Sequence, residues 1–449
     1  MQVTLKERIL DIAESVDVLV VGGGPAGIGA AISAARNGST TMLLEKRGFL
    51  GGNITASYVE TCNYFFKGTP FHAEGIYAEI EEKYHAKYGS DDIRQDAPPR
   101  FSSEYLKVFL DDFVKAAGVK LKLHSFVNQV VVENNEIQAV IIQTKKGPVA
   151  IGTKIVIDTT GDADVAFSAG VPFEQGRERD GLCQPGTVSF RVAGADVKKL
   201  TQNGDLLKVH GRTFHEDYRA GKTNLTCKRQ DLPFGRVTAG GQISYINYSC
   251  EYEIDPTDVD DLTRGEVKCR QYIMEFYQYM KEHFEGLENI EITSIAPEIG
   301  FRDSRRIIGE YHLTIEDMEA NRQFDDVIAV YPRFYDMLAP DANMDGDGSV
   351  EGKGYKGHIF VPVEGNRSFQ IPYKTMLPVN INNMLVAGRC LSADHVAQSG
   401  VRAISLCMMT GEAAGAAAAL ANSKGISPKQ IDVKELQKVL RTQNIYLPE

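Results

Sequence analysis

The sequence predicts an α/β chain: a discontinuous Rossmann-like sheet domain with a β-meander, interrupted by an α+β cap and completed near the C-terminus. Three observations carry this. Residues 18–27 read Val-Leu-Val-Val-Gly-Gly-Gly-Pro-Ala-Gly, an apolar strand running into a glycine turn and a helix. Three extended runs, Val127–Glu133, Ile137–Thr144 and Val149–Ile151, are separated by turn signals at Asn134-Asn135 and Gly147-Pro148. After a long stretch of different texture, core-type patterning resumes in a strand at Asn383–Gly388 and a helix over about Gly400–Asn422.

The first unit has a specific physical logic. Asp17–Val21 reads as a buried parallel strand, and Gly22 makes the tight turn out of it. Gly24 lacks a Cβ, so a pyrophosphate can approach the backbone, and Gly27 lets the next helix pack closely on the strand. That helix, about Pro25 to Asn37, points its positive end at the phosphates, and Pro25 suits its first turn. Glu45 closes the second apolar run, about eighteen residues after Gly27, where an acid accepts hydrogen bonds from a ribose. Strand, glycines, helix and acid together point to a dinucleotide. A glycine-rich turn of some other α/β protein leaves Glu45 unexplained.

The remaining elements follow in order. A loop with Gly48, Gly51 and Gly52 spans Lys46–Ser57. Residues 58–100 read as an insertion, with Tyr58, Tyr64, Phe65 and Phe66, a helix near His72–Tyr88 and a Pro-Pro-Arg100 turn. A helix over Ser103–Ala117 leads to Val119–His124 and the meander, and the chain returns to the core in Lys154–Asp158, followed by Thr-Thr-Gly-Asp162. From about Gly186 come a strand, Thr187–Val192, charged helical stretches at Ala195–Lys208 and Asp258–Phe284, and a strand at Ile290–Ile295. The expected division is therefore 1–185 with 371–449 as the dinucleotide domain, and 186–370 as the cap. Gln2–Ser15 suits a short amphipathic helix, and so does Pro428–Thr442 at the other end.

With 449 residues the chain exceeds one ordinary core. A net charge of −11 without a basic stripe argues against nucleic acid or an anionic membrane as partner. No signal peptide is visible. Val401–Ala421 has the length of a membrane span, but Arg402 and Glu412 interrupt it and its residues are mostly Ala and Gly, which suits a packed internal helix. Seven scattered cysteines without a CxxC suit a reducing, cytoplasmic setting, and they exclude a dithiol centre and an iron–sulfur or zinc framework.

Val20–Gly27, Leu44–Asn53, Asp158–Asp162, Gly300–Glu310 and Asn383–Arg402, in that order and across nearly the whole chain, resemble FAD-dependent oxidoreductases of the glutathione-reductase structural superfamily. The resemblance implies that Gly22, Gly24, Pro25, Ala26 and Gly27 cradle the FAD pyrophosphate, Glu45 holds the adenosine ribose, and Lys46 and Arg47 lie along the adenine. It places Gly51, Gly52 and Asn53 near the phosphates and flavin, Val127 against adenine through its backbone, and Gly161 and Asp162 beside the cofactor. Gly388 and Arg389 border the ribityl chain, while Gly400, Val401 and Arg402 open a helix aimed at the pyrimidine end of the flavin. A helix N-terminus there would stabilise the negative charge of a reduced flavin by ~0.3–1 kcal/mol. Arg402 in a first helical turn either answers such a charge or forms a surface salt bridge. Unlike the succinate dehydrogenase and fumarate reductase relatives, Gly52–Ser57 has no histidine, so the expected FAD is non-covalent. No second GxGxxG follows a strand, which leaves no dedicated NAD(P)H domain.

FAD carries the electron chemistry, so the chain must orient a substrate against N5 and manage one proton. Arg302, Arg305 and Arg306 form the densest cationic cluster of the cap, and arginine forks bind carboxylates. Structural pairing with Glu298, Asp303 or Glu310 is the alternative. His395 is a candidate proton carrier or a satisfied neighbour, and Tyr373 lines the pocket or packs in the core. His358, Tyr64 and Cys62 are weaker candidates. Asp341–Glu351 mimics the opening of a calcium loop, but Gly352 stands where its bidentate Glu belongs, so an acidic turn is expected. The expected function is hydride transfer between flavin N5 and a small polar or anionic compound. The electron partner (oxygen, a quinone, a protein or NAD(P)H) and a homo-oligomer stay open. The rivals are a flavin monooxygenase and a flavin-bearing electron-transfer subunit.

Overall fold

The computed structural model describes residues 9–60, 74–90, 92–93, 100–202, 205–229, 232–341, 358–361 and 367–448. Cys62, Tyr64, Phe65, Phe66, nearly all of the Asp341–Glu351 loop and the side chain of His358 lie outside this description.

Strand β1 (Ile12–Val21) enters the core, where Val18–Val21 are almost fully buried. It is followed by α1 (Pro25–Arg36) and β2 (Thr41–Leu44). A short α2 (Asn53–Ala56), then α3 (Gly75–Tyr88) and α4 (Ser103–Ala116), precede β3 (Lys120–Lys122). The meander is β4 (Phe126–Glu133), β5 (Glu136–Thr144) and β6 (Gly147–Asp158). These strands form one sheet in the order β3-β2-β1-β6-β5-β4, parallel up to β6 and antiparallel beyond it.

Two expectations change here. Residues 12–15 are strand rather than helix, because they pair with 150–152 along the outer half of β6. The third meander run and the return strand are likewise one continuous strand, which pairs with β5 first and serves the parallel core second.

The cap follows α5 (Asp164–Ser168) and β7 (Phe173–Gln175). It contains β8 (Gly186–Ala193), α6 (Val197–Gln202), α7 (Leu206–Arg219), β9 (Ile243–Glu251), α8 (Val259–His283) and β10 (Glu291–Ile295). Its antiparallel sheet runs β10-β8-β9. Helix α8 starts where Asp258 accepts from the Asp260 and Asp261 amides. Cys269, Ile273, Phe276 and Met280 lie at helical spacing on its buried face, and Phe276 stacks on Tyr248 at 4.1 Å. This second core spans Val188–Phe301 plus Tyr58.

The chain then passes through β11 (Arg305–Ile307), α9 (Ile315–Glu319), β12 (Val327–Pro332), β13 (Tyr335–Leu338), β14 (His358–Val361) and β15 (Ser368–Pro372). Leu313–Tyr335 already pack into the first core, so the cap's own core ends well before residue 370. Strand β16 (Met384–Val386) adds to the inner half of β6 in parallel, and is followed by α10 (His395–Val401), α11 (Ile404–Lys424) and α12 (Val433–Thr442). The terminal segment is thus a short turn of helix at Pro428–Gln430 and then α12, rather than one helix.

Helix α11 explains its own composition. A Cβ on Gly411 would lie 2.0 Å from the Ala26 carbonyl oxygen, and one on Gly415 would lie 2.2 Å from that of Ala30. The backbones of α1 and α11 nearly touch, which only small residues permit. Among the described residues α11 is the one helix long and apolar enough to cross a membrane, yet 89% of its most apolar window is buried inside the protein. The six described cysteines are all buried and unpaired with one another.

Candidate functional site

The phosphate end is built from backbone. Gly22 adopts φ +106°, and a Cβ on Gly27 would lie 1.7 Å from the Gly22 carbonyl oxygen, so the turn and the close helix both demand glycine. Gly24 is different. Its φ of −76° suits any residue, and a Cβ there would meet nothing nearer than Gly52 Cα at 3.8 Å. The fold does not need this glycine; a group approaching the N-terminus of α1 does. The Gly51–Gly52 loop lies against the same turn, with the Gly51 amide donating to the Gly23 carbonyl at 2.8 Å.

Beside it opens a cleft of about 380 Å³, counted with its open mouth and lined by Gly22, Glu45, Lys46, Arg47, Val127 and Asp164 among others. Glu45 is 3% exposed and accepts from the Gly23 amide at 2.7 Å and the Arg47 amide at 2.8 Å. Burial and the neighbouring Asp162 and Asp158 push the Asp164 carboxyl up to about 6. Arg47 does not lie free along this cleft. Its guanidinium grips Glu298 at 2.5 and 2.6 Å, and Lys46 stands 3.7 Å from the same carboxylate. Burial opposes ionisation of Glu298, but Arg47 and Lys46 outweigh it and lower its pKa. The pair fastens the phosphate-domain loop to the end of the cap.

At the junction, Arg389 donates to the Phe301 carbonyl and to Asp162, both at 2.7 Å, and Asn53 donates to the same Phe301 carbonyl at 3.1 Å. Gly388 has φ +81° and Gly161 has φ +81°; a Cβ on Gly161 would lie 2.8 Å from Arg389 Nη2. Asn53, Gly161, Asp162, Gly388 and Arg389 therefore meet in one place, although nearly the whole chain separates them.

Three expectations are corrected. The helix expected at Gly400 is two helices, broken where Ala403 turns extended (ψ 135°), so Gly400 and Val401 close α10 instead of opening α11. A Cβ on Gly400 would meet the Phe334 carbonyl oxygen at 2.7 Å, so that glycine serves packing. Arg402 consequently caps the C-terminal end of α10, where the dipole favours a cation, and lies 3.6 Å from the Asp336 carboxylate. Burial lowers its pKa, as does Arg302, against the pull of Asp336. Tyr373, finally, is 2% exposed and donates its hydroxyl to the Pro428 carbonyl at 2.9 Å, so it belongs to the core rather than to a pocket.

The arginine cluster divides. Arg306 is 2% exposed and donates to the Ala393 and Gly176 carbonyls, both at 2.9 Å. Arg305 donates to the Asp162 carbonyl at 3.1 Å, lies 3.3 Å from Asp164 and stacks 4.1 Å over Phe167. Arg302 makes only long contacts, to the Pro185 carbonyl at 3.3 Å and Thr187 Oγ1 at 3.4 Å, and has no carboxylate partner among the described residues. The acids offered as its structural partners are occupied elsewhere: Glu298 by Arg47, Glu310 by Lys429. Asp303 faces His395, with Oδ2 at 3.1 Å from Nδ1. That approach lacks hydrogen-bond alignment, so both His395 nitrogens and Asp303 Oδ2 are buried with hydrogen-bonding capacity unspent. Sequence reasoning named His395 but not Asp303 as its partner. The two are far apart in the chain, and no local motif links them.

The residues present fit FAD: a glycine whose missing Cβ leaves room for a ligand, a helix N-terminus behind it, a buried acid in the adjoining cleft and a polar junction at Arg389 and Asp162.

A thiamine thiazole synthase from Methanococcus vannielii is 32% identical over 170 residues, which is 35% of this chain and 61% of that protein. The chain thus matches about three-fifths of the length of that curated relative. A geranylgeranyl bacteriochlorophyll reductase-like protein from Thermoplasma acidophilum superimposes with a TM-score of 0.46 at 14% identity, covering 96% of this chain and 84% of the other. p-Nitrophenol 4-monooxygenase from Pseudomonas putida gives a TM-score of 0.46 at 12% identity, covering 96% and 84%. The FAD dependent oxidoreductase family matches residues 17–440, nearly the full length. The chain belongs to the FAD-dependent oxidoreductase family, and FAD is its cofactor.

Proposed function

We infer that this enzyme transfers a hydride between its cofactor and a carbon atom of a small anionic compound, with Arg302 receiving the anion. FAD, when bound, supplies the two-electron acceptor or donor at its N5. The chain does the rest. The glycine turns and the α1 N-terminus bind, and Arg389, tied to Asp162 and Phe301, holds the junction in place. Arg302 orients the substrate carboxylate, and His395 Nε2 carries the proton that accompanies oxidation or reduction. The absence of a histidine from Gly52–Ser57 supports a non-covalent cofactor.

The observation that carries this reading is the contrast within the arginine cluster. Arg305 and Arg306 are spent on the protein's own oxygens, whereas Arg302 keeps its planar fork for another partner. The test is anaerobic mixing of the yellow enzyme with a panel of hydroxy acids, amino acids, dicarboxylates and uncharged alcohols, scored by bleaching of the flavin. A carboxylate bleaches the wild type, and Arg302→Ala needs about thirty-fold more of it while staying yellow. Bleaching by uncharged compounds alone, or an Arg302→Ala protein indifferent to the change, overturns the reading.

A further inference from the structure

His395 lies 9% exposed at the start of α10, with a completely buried carboxylate, Asp303, at 3.1 Å from its Nδ1. Both are held from behind. Asp303 Oδ1 accepts from the Gln184 amide at 2.7 Å, and Gln184 Oε1 accepts from the Leu338 amide at 3.1 Å, so the carboxylate is anchored by one oxygen while the other lies beside the ring with its hydrogen-bonding capacity unspent. Asp394 caps α10 by accepting from the Val396 and Ala397 amides, and Gln398 ties the same helix to the Arg302 carbonyl at 2.9 Å. The far ring nitrogen, Nε2, has no partner among the described residues. Most of the remaining charged groups on the elements packed against α10 are already paired: Asp336 of β13 with Arg402, Arg389 with Asp162, and Asp317 and Glu319 of α9 with Arg322 and Arg333. Arg302, the neighbour of Asp303, and the exposed Glu316 of α9 are the exceptions.

We propose that Asp303 is a positioning residue: it takes the Nδ1 proton of His395 as a hydrogen bond, fixes the ring's tautomer and leaves Nε2 to accept or return the substrate's proton. The geometry is that of an orienting carboxylate behind a base, and such bonds tighten when a substrate occupies the site. The proton balance is simple. As a C–H electron pair leaves with its hydrogen for the flavin, the proton on the adjoining heteroatom passes to Nε2, giving a C=O or C=N product and an imidazolium that faces the Asp303 carboxyl group. Reduction runs the same exchange backwards.

This deepens the reading above and rests on it for the identity of the reaction, but its test needs no substrate. Histidine is labelled with ¹⁵N in the FAD-loaded enzyme, and the His395 ring signals are assigned by their loss in His395→Gln. At pH 8 Nδ1 is expected to be the protonated nitrogen and Nε2 the bare one. In Asp303→Ala that preference is lost and the proton moves to Nε2 in a large share of the molecules, and Asp303→Glu restores it to Nδ1. A proton on Nε2 in the wild type, or an unchanged Nδ1 preference in a yellow Asp303→Ala protein, overturns the proposal. The tautomer is read on the wild type, so it decides the matter even where the Asp303 variants fail to fold. If the ring behaves as expected while no carboxylate bleaches the flavin, the substrate reading fails and the Asp303 assignment stands.

Discussion

The two ends of the cofactor site are built in different ways. The phosphate end is backbone: two glycine turns, one helix N-terminus and a buried glutamate, drawn mostly from residues 18–52. The end proposed to meet substrate is side chain: Arg302 and Asp303 beyond the cap, Arg389 and His395 between β16 and α10, and Arg402 beside Asp336. A backbone site tolerates little change in spacing and reads directly from a short motif. A side-chain site assembled across domains tolerates wide separation in sequence, and that freedom lets one scaffold serve many substrates.

Substitutions at the two ends are expected to fail differently. Gly24→Val has the largest effect. Its Cβ has ordinary room in the fold, so the protein stays folded by circular dichroism but purifies colourless. A yellow variant would refute the cradle. His395→Gln keeps its colour and slows flavin reduction about 100-fold in stopped flow, the usual worth of a positioned acid–base group. Arg302→Ala also stays yellow. It raises the substrate concentration for half-maximal reduction about thirty-fold, and Arg302→Lys recovers only part because it loses the fork.

The smallest effect sharpens the contrast from outside both ends. Glu412 of α11 is 1% exposed, accepts from the Ile76 amide at 2.8 Å, and is pushed by burial up to about 8. A carboxyl whose folded pKa is raised contributes stability that is complete below its ordinary value near 4.5 and is lost as pH rises through about 8. Melting temperature is therefore expected to fall from about pH 5 to about pH 8 and to level off above that. Glu412→Gln, which keeps an accepting oxygen, flattens that fall by a few degrees without changing colour or substrate response.

The same contrast explains which parts of the molecule are legible in the sequence. Strand, turn, helix and acid from Asp17 to Glu45 are local, and the observed elements match that reading. The meander and the α8 stripe are visible for the same reason: each is a periodicity of adjacent residues. The misread segments are those settled by distant partners. Residues 12–15 have a helical pattern but pair with β6, and the α10–α11 break has no Gly or Pro at Arg402-Ala403 to announce it. Arg47 gives no sign of Glu298, nor His395 of Asp303, because an ion pair between remote segments leaves no periodic trace. The place of Tyr373 in the chain suggests a pocket, but the Pro428 carbonyl draws it into the core.

The insertion of the cap between the first six strands of the sheet and its last, β16, has a consequence for biosynthesis. Strand β6 receives its neighbour β16 only after roughly 230 further residues, and α1 waits longer still for α11. At about 5–20 residues per second, a ribosome leaves the nascent nucleotide pocket one-sided for tens of seconds, with the apolar flank of α1 uncovered.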